Sequence, residues 1–308
     1  MAGLSELLRG AVAGERLPLA RLLTAIENDV PGLRDLLPQL FAAGQGGHLV
    51  GITGPPGSGK STLVNALTEE WRRRGRRVGI VAVDPSSPYT GGAIMGDRIR
   101  MMGHAADREV FMRSMASRGE LGGIAAATWM AAASLDAAGY DPILIETVGA
   151  GQSEVEIARL AETTVVVEVP EMGDEVQAIK AGLLEVADLL VVNKGDRPGA
   201  DLAARHLRAM LSTAGGRVTR KPPPIMVTAA ISGDGVAALA DAIDAQRSAA
   251  RSAGAVHRRA GHQLQRALAD LAIRRAARHP AWDATLQSVA DHEVDPFTAA
   301  ERLLPEDG

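Results

Sequence analysis

The residues with the clearest chemical capacity lie in Gly51–Leu67, GITGPPGSGKSTLVNAL. An apolar run leads into Gly54-Pro55-Pro56-Gly57-Ser58-Gly59-Lys60-Ser61-Thr62, which fits GxxxxGK[ST], the phosphate-binding loop. Such a loop turns backbone N–H groups inward, and the following helix points its positive dipole end at the same place. Lys60 would reach the β- and γ-phosphates of a nucleoside triphosphate, and the Ser61 hydroxyl would ligate Mg²⁺.

Six further stretches carry groups that such a ligand needs. Asp84 follows the apolar run Val78–Val83 and could hold Mg²⁺ directly or through water. Beyond it, three glycines surround Asp97 and Arg98, as in a loop able to close over a γ-phosphate, although an ordinary surface ion pair fits as well. Glu146 ends the run Ile143–Ile145 and opens Glu-Thr-Val-Gly, an acid-x-x-Gly layout. Its carboxylate would stand near Mg²⁺ through water, and the Gly149 N–H would sense the γ-phosphate. Gln152 suits either a water-orienting role or a helix start before Ser153. Gly173 and Lys180 fall in a polar stretch after Thr164–Val169 that reads as another movable segment, with a solvated helix lysine as the plainer account of Lys180.

Asn193-Lys194-Gly195-Asp196 follows the run Leu189–Val192 and decides the base. The Asp196 carboxylate would accept from guanine N1–H and the 2-amino group, whereas adenine offers neither donor there and would leave a carboxylate unpaired. Asn193 would brace the loop and reach N7, and the Lys194 stem would lie over the base. Thr228-Ala229-Ala230 ends the last run, where a backbone N–H would face guanine O6. The ligands expected are therefore GTP or GDP with Mg²⁺.

Placing these groups together requires a particular scaffold. Short β-branched runs at 49–53, 78–83, 110–112, 143–145, 164–169, 189–192 and 225–227 alternate with helical patterns at 61–75, 122–138, 154–161, 175–187, 200–214 and 235–250. The alternation predicts an α/β P-loop fold: a mostly parallel sheet of about seven strands, helices on both faces, and ligands beyond the carboxyl ends of the strands. Residues 1–46 predict about three short helices packing beside the sheet, with Gly44–Gly47 as a hinge. Residues 251–308 predict a helical extension, with an apolar face at Val256, Ala260, Leu264, Ala267, Leu268 and Leu271 and a final helix started by Asp295-Pro296. The domains are then 1–46, 47–250 and 251–308.

Composition narrows the function classes. The 308 residues hold 33 Lys and Arg against 37 Asp and Glu, a net charge of −4, so no basic excess points to nucleic acid. The absence of cysteine removes disulfides, thiolate metal sites and cysteine nucleophiles. The N-terminus lacks the layout of a signal peptide and no apolar run nears membrane-spanning length, so the expectation is a soluble cytoplasmic protein without a membrane partner.

The motifs together resemble the G3E-type P-loop GTPases of the MeaB/ArgK family, the methylmalonyl-CoA mutase-associated GTPase chaperones. The resemblance runs over nearly the whole chain and is carried by PPGSGKST, Ala82–Met101, Glu146–Glu154, Gly173–Asp188, NKGD and the terminal DPFTAAERLL. It implies that Lys60, Ser61, Asp84, Asp97 and Glu146 serve nucleotide, Mg²⁺ and switching, and that Lys180 lies in a third switch. It also implies a homodimer, built by the C-terminal extension, that assists an adenosylcobalamin-dependent acyl-CoA mutase. No DxHxxG occurs, so cobalamin would belong to the client. Alternatives are an ATPase or kinase of the arginine/ornithine transport type and a metal-insertion GTPase.

Overall fold

The protein is described from a computed structural model, covering residues 3–85, 104, 106–117, 123–147, 160–170, 186–214 and 222–304. Asp97, Arg98, Gly149, Gln152, Gly173 and Lys180 lie outside the described residues, as do most of the helices expected at 154–161 and 175–187. Contacts divide the chain into two compact units, 1–256 and 257–308.

The first unit is built on seven parallel strands: β1 (Leu49–Thr53), β2 (Val78–Pro85), β3 (Val110–Ser117), β4 (Ile143–Thr147), β5 (Thr163–Glu168), β6 (Leu189–Val192) and β7 (Ile225–Val227). Their order is β3-β2-β4-β1-β5-β6-β7. β1 therefore lies between β4 and β5, pairing Ile52 with both Glu146 and Val165. This puts the phosphate-loop strand beside both neighbouring acid-bearing strand ends.

Parallel strands buried on both faces need apolar residues at nearly every position, and the alternation assigns each to a face. Val50, Ile52, Ile80, Leu144, Val165 and Val167 pack with α4 (Lys60–Arg73) and, C-terminal to β7, α7 (Val236–Ala250). Val81, Val83, Ile143 and Ile145 join the other core. That core contains α5 (Gly123–Ala137) and the N-terminal helices α1 (Leu4–Val12), α2 (Arg16–Glu27) and α3 (Leu37–Ala42), with a 3-10 turn at Leu33–Leu36. α6 (Ala200–Ala214) packs on β6 and β7 through Ala204 and Leu207. Leu19, Leu22, Leu23 and Ile26 of α2 are fully buried, each stabilising by about 1.5–3 kcal/mol.

The N-terminal helices are also fastened by polar contacts. Arg16 Nη1 donates to the carbonyls of Arg108 and Val110, at 2.8 Å each, along the outer edge of β3. Its guanidinium lies 5.2 Å from the Phe111 ring centre. Farther along, Arg113 of β3 pairs with Glu27.

Gly44–Gly47 is not a free hinge. Asp136 Oδ1 accepts from Gln45 N and Gly47 N at 3.2 and 2.6 Å, and the Gly46 carbonyl accepts from Arg247 and Arg251. Glycine here lets the backbone approach Asp136 and the arginines closely; it does not supply motion.

In the second unit, α8 (Ala253–Ala277, which begins in the first unit), α9 (Trp282–Ala290) and α10 (Pro296–Leu303) follow in order. Asp295 caps α10, accepting from Phe297 N and Thr298 N at 2.9 and 3.1 Å. The hydroxyl of Thr298, with the backbone N–H groups, holds the Asp295 carboxyl below its ordinary range. No described helix is long and apolar enough to cross a membrane.

At the amino end of β1, His48 is fully buried with Nε2 2.8 Å from Thr163 Oγ1. Burial first, then the charge of Arg247, lower its pKa from 6.5 to about 4. Between those values an unfolded chain binds a proton that the folded chain refuses, so stability falls as pH drops through this window. The full cost is on the order of 3 kcal/mol. Urea unfolding midpoints measured from pH 7 to 4 should show this decline, and His48→Gln should flatten it.

Candidate functional site

β1 delivers the chain into the phosphate loop at Gly54, whose φ is 141°. A Cβ at this position would lie 2.1 Å from the Val167 carbonyl oxygen, so the loop can leave the sheet this closely only at glycine. Gly59 ends the loop in a left-handed conformation, φ 84°, and a Cβ there would come within 2.5 Å of Asn193 Nδ2. α4 begins at the next residue, aiming its first-turn N–H groups into the loop. Lys60 is 6% exposed and folds across the loop, donating from Nζ to the carbonyls of Gly54 at 2.8 Å and Pro55 at 3.0 Å. These contacts hold an ammonium group where phosphate oxygens can replace the carbonyls. Ser58 is buried, and its hydroxyl has no partner among the described residues.

Glu146 reaches the loop from β4 and is 1% exposed. Its Oε1 accepts from Ser61 Oγ at 2.5 Å, a charge-assisted contact between a hydroxyl and a carboxylate. This all-oxygen pair beside a phosphate loop has the donor chemistry that suits Mg²⁺. One residue farther, Thr147 Oγ1 donates to Thr53 Oγ1 at 3.3 Å, joining the ends of β4 and β1. For Asp84, the structure describes the strand backbone in β2 only.

Asn193 is the point of assembly. Its Nδ2 donates to the Ser58 carbonyl at 3.0 Å and the Gly59 carbonyl at 3.4 Å, inside the phosphate loop. Its Oδ1 accepts from Thr228 Oγ1 and Ala230 N, both at 3.2 Å. These four contacts occupy both donors and both acceptor positions of a side chain that is 2% exposed. The sequence predicts a backbone N–H of Thr228–Ala230 at guanine O6; here those of Thr228, Ala229 and Ala230 are engaged with the Val192 carbonyl, the Asp234 carbonyl and Asn193 Oδ1. Lys194 takes a left-handed backbone, φ 56°, and Gly195 N donates to the Thr228 carbonyl at 2.8 Å. The turn leaves Lys194 half-buried and Asp196 exposed beside the loop at 228–230.

The structure thus brings Gly54–Thr62, Glu146, Asn193–Asp196 and Thr228–Ala230 together along the carboxyl edge of β1, β4, β6 and β7. Sequence reasoning missed Thr53, Thr147 and Glu168. Glu168 is a buried acid at the carboxyl end of β5, whose carbonyl accepts from Asn193 N at 2.8 Å. The signal was present: an acid ending an apolar run, as at Glu146. The two threonines carry no such mark, because threonine is common in strands for its shape alone.

Comparison with known proteins gives this arrangement a family. The model described as methylmalonyl Co-A mutase-associated GTPase MeaB matches residues 19–282. The chain belongs to the MeaB family of GTPases. As a MeaB-family protein it is an enzyme that hydrolyses GTP. A protein of Pyrococcus abyssi named as a GTPase is 39% identical over 312 residues, covering 98% of this chain and 96% of its own. The mouse protein named methylmalonic aciduria type A homolog, mitochondrial, is 34% identical over 297 residues, covering 90% of this chain and 67% of its own. Among solved structures, a LAO/AO transport system kinase matches with a TM-score of 0.71 and 26% identity, over 97% of this chain and 96% of that one.

The MeaB-family site makes Asn193 a structural test. Asn193→Ala would leave the Ser58 and Gly59 carbonyls, the Ala230 N–H and the Thr228 hydroxyl without their partner. Each orphaned buried group costs about 1–3 kcal/mol. GDP affinity, followed with a ribose-labelled fluorescent nucleotide, should fall by about 100-fold or more, with a lower melting temperature.

Proposed function

We propose that this protein is a GTP-driven switch that serves an adenosylcobalamin-dependent acyl-CoA mutase, gating cofactor loading and protecting or reactivating that enzyme. The observation that carries the nucleotide half is the Asn193 side chain, which links a phosphate loop to an NKGD turn. The client half is supported by the family's description as methylmalonyl Co-A mutase-associated and by the name of the mouse relative. The reading puts both proteins in the cytoplasm.

On this reading the loop amides and Lys60 hold the phosphates, and Asp196 selects guanine. Mg²⁺ would be held by Ser61 Oγ with Glu146 behind it, and the ion supplies charge neutralisation on the β- and γ-phosphates. Asp84 and Asp97 would complete the metal surroundings, Gln152 would orient water, and Gly149, Arg98, Gly173 and Lys180 would report the γ-phosphate to the client. Water attacks in line, the phosphate leaves, and the loops relax.

The protein should also pair with a second copy of itself. Leu264, Leu268 and Leu271 stand exposed along α8 at the spacing of one helix face. Leu264→Glu with Leu268→Glu should yield monomers in sedimentation.

The match named as a transport-system kinase supplies the competing reading, an ATPase or kinase using the same loop. Nucleotide preference separates the two. Asp196→Asn should weaken GTP binding by roughly 100-fold and favour xanthosine triphosphate. Tight ATP and weak GTP binding by the unaltered protein would favour the kinase. Intrinsic turnover is expected at about 10⁻⁴–10⁻² s⁻¹, rising when the client mutase is added. No complex and no stimulation with any such mutase would remove the client assignment and leave the GTPase intact.

A further inference from the structure

We propose that Thr147, through its hydrogen bond to Thr53, is a positioning residue that fixes the end of β4 and so aims the Glu146 carboxylate at the start of α4. The proposal rests on the reading of Glu146 as the acid behind Mg²⁺. A threonine in a strand is ordinary, since its branched shape suits the sheet. What distinguishes these two is where their hydroxyls lie.

β1 and β4 run parallel, and the last pair in their register is Ile52 with Glu146. Thr53 and Thr147 come one step beyond, at the final residue of each strand, just before β1 passes into the phosphate loop at Gly54. Successive residues of a strand point to opposite faces. Ile52 and Leu144 pack in the core that contains α4, whereas Ile143 and Ile145 join the other core. Glu146 accordingly takes the α4 face, where it meets Ser61 Oγ, and Thr147 takes the face behind it. There Thr147 Oγ1 donates to Thr53 Oγ1 at 3.3 Å. The end of β4 is thus held from both faces, by the acid on one and by the threonine on the other.

Packing does not account for the hydroxyls. Thr53 is 0% exposed and Thr147 1%, so both polar groups are dry. Valine has nearly the same branched shape and would fill either place without burying a polar atom. Replacing both members of such a pair by apolar groups of that shape is close to neutral for stability. What the hydroxyls add is direction. A hydrogen bond fixes distance and angle, whereas apolar contact is non-directional and tolerates twist. One step past the last registered pair, this bond sets the rotation of β4 about its own axis. Glu146 is the neighbouring residue, so that rotation decides where its carboxylate stands against Ser61.

The test uses the full-length protein and compares Thr147→Val, Thr147→Ser and the double variant Thr53→Val with Thr147→Val. Four quantities are measured: Mn²⁺ affinity of the GDP complex by electron paramagnetic resonance, single-turnover GTP hydrolysis, GDP affinity in EDTA, and melting temperature. Thr147→Val should weaken Mn²⁺ binding and slow hydrolysis by about tenfold each, while GDP affinity in EDTA stays within about twofold. Thr147→Ser keeps the hydroxyl and should restore both. The double variant should melt like the unaltered protein yet keep the weak Mn²⁺ binding and the slow hydrolysis. Normal Mn²⁺ binding and hydrolysis in Thr147→Val overturn the proposal. So does their recovery in the double variant, which would make the pair a packing element, and so does an equal loss of GDP affinity in EDTA, which would mean a disturbed loop. Glu146→Gln, assayed in parallel, separates the two levels. If it binds Mn²⁺ and hydrolyses GTP normally, the reading of Glu146 falls and Thr147 with it; if it is impaired while Thr147→Val is not, only the inference about Thr147 fails.

Discussion

The site depends on one amide side chain. Asn193 ties the Ser58 and Gly59 carbonyls to the Thr228 hydroxyl and the Ala230 N–H, so loops from β1, β6 and β7 meet on one residue. With every hydrogen-bonding position of the amide engaged in a dry environment, no loop can move alone without stranding a buried partner. Aspartate or leucine, though close in volume, could not serve in its place: the first lacks donors and the second lacks polar atoms altogether.

A second tie works differently. Ser61–Glu146 joins the start of α4 to β4, and Thr53–Thr147 joins β1 to β4, both at the residues that open Glu-Thr-Val-Gly. The first involves a rotatable hydroxyl, so it can be exchanged for a metal or a phosphate at small cost. On the proposed reading the edge combines a rigid half for the base with an adjustable half for the phosphates. A switch needs both: tight holding of the nucleotide, and a response confined to its terminal phosphate.

Much of this was legible in the residues. Leu189–Val192, Ile225–Val227 and Ala200–Ala214 carry the same boundaries in sequence and structure, because short apolar strand runs and an amphipathic helix announce themselves by composition and period. Some strands were read too short. β3 runs on to Ser117 and β4 to Thr147, through Arg113, Ser114 and Glu146, polar residues that end an apolar run without ending the strand. Glu146 bonds Ser61 and Arg113 pairs with Glu27, so polar partners hold these positions and hydropathy fails there for a physical reason. Strand order and the four partners of Asn193 could not be read, since both are relations between segments distant in sequence. Gly44–Gly47 misled because glycine is chosen equally for motion and for close approach.

Arg16 has a consequence for how the chain comes to exist. β3 is an outer strand, and a bare outer strand offers its carbonyls to any other extended chain. The guanidinium at Arg108 and Val110 occupies two of those acceptors. Synthesis proceeds from the N-terminus, so α2 has already left the ribosome when β3 emerges. This outer strand thus meets its cover at birth, and trimming the first 46 residues to isolate the nucleotide-binding core would remove that protection.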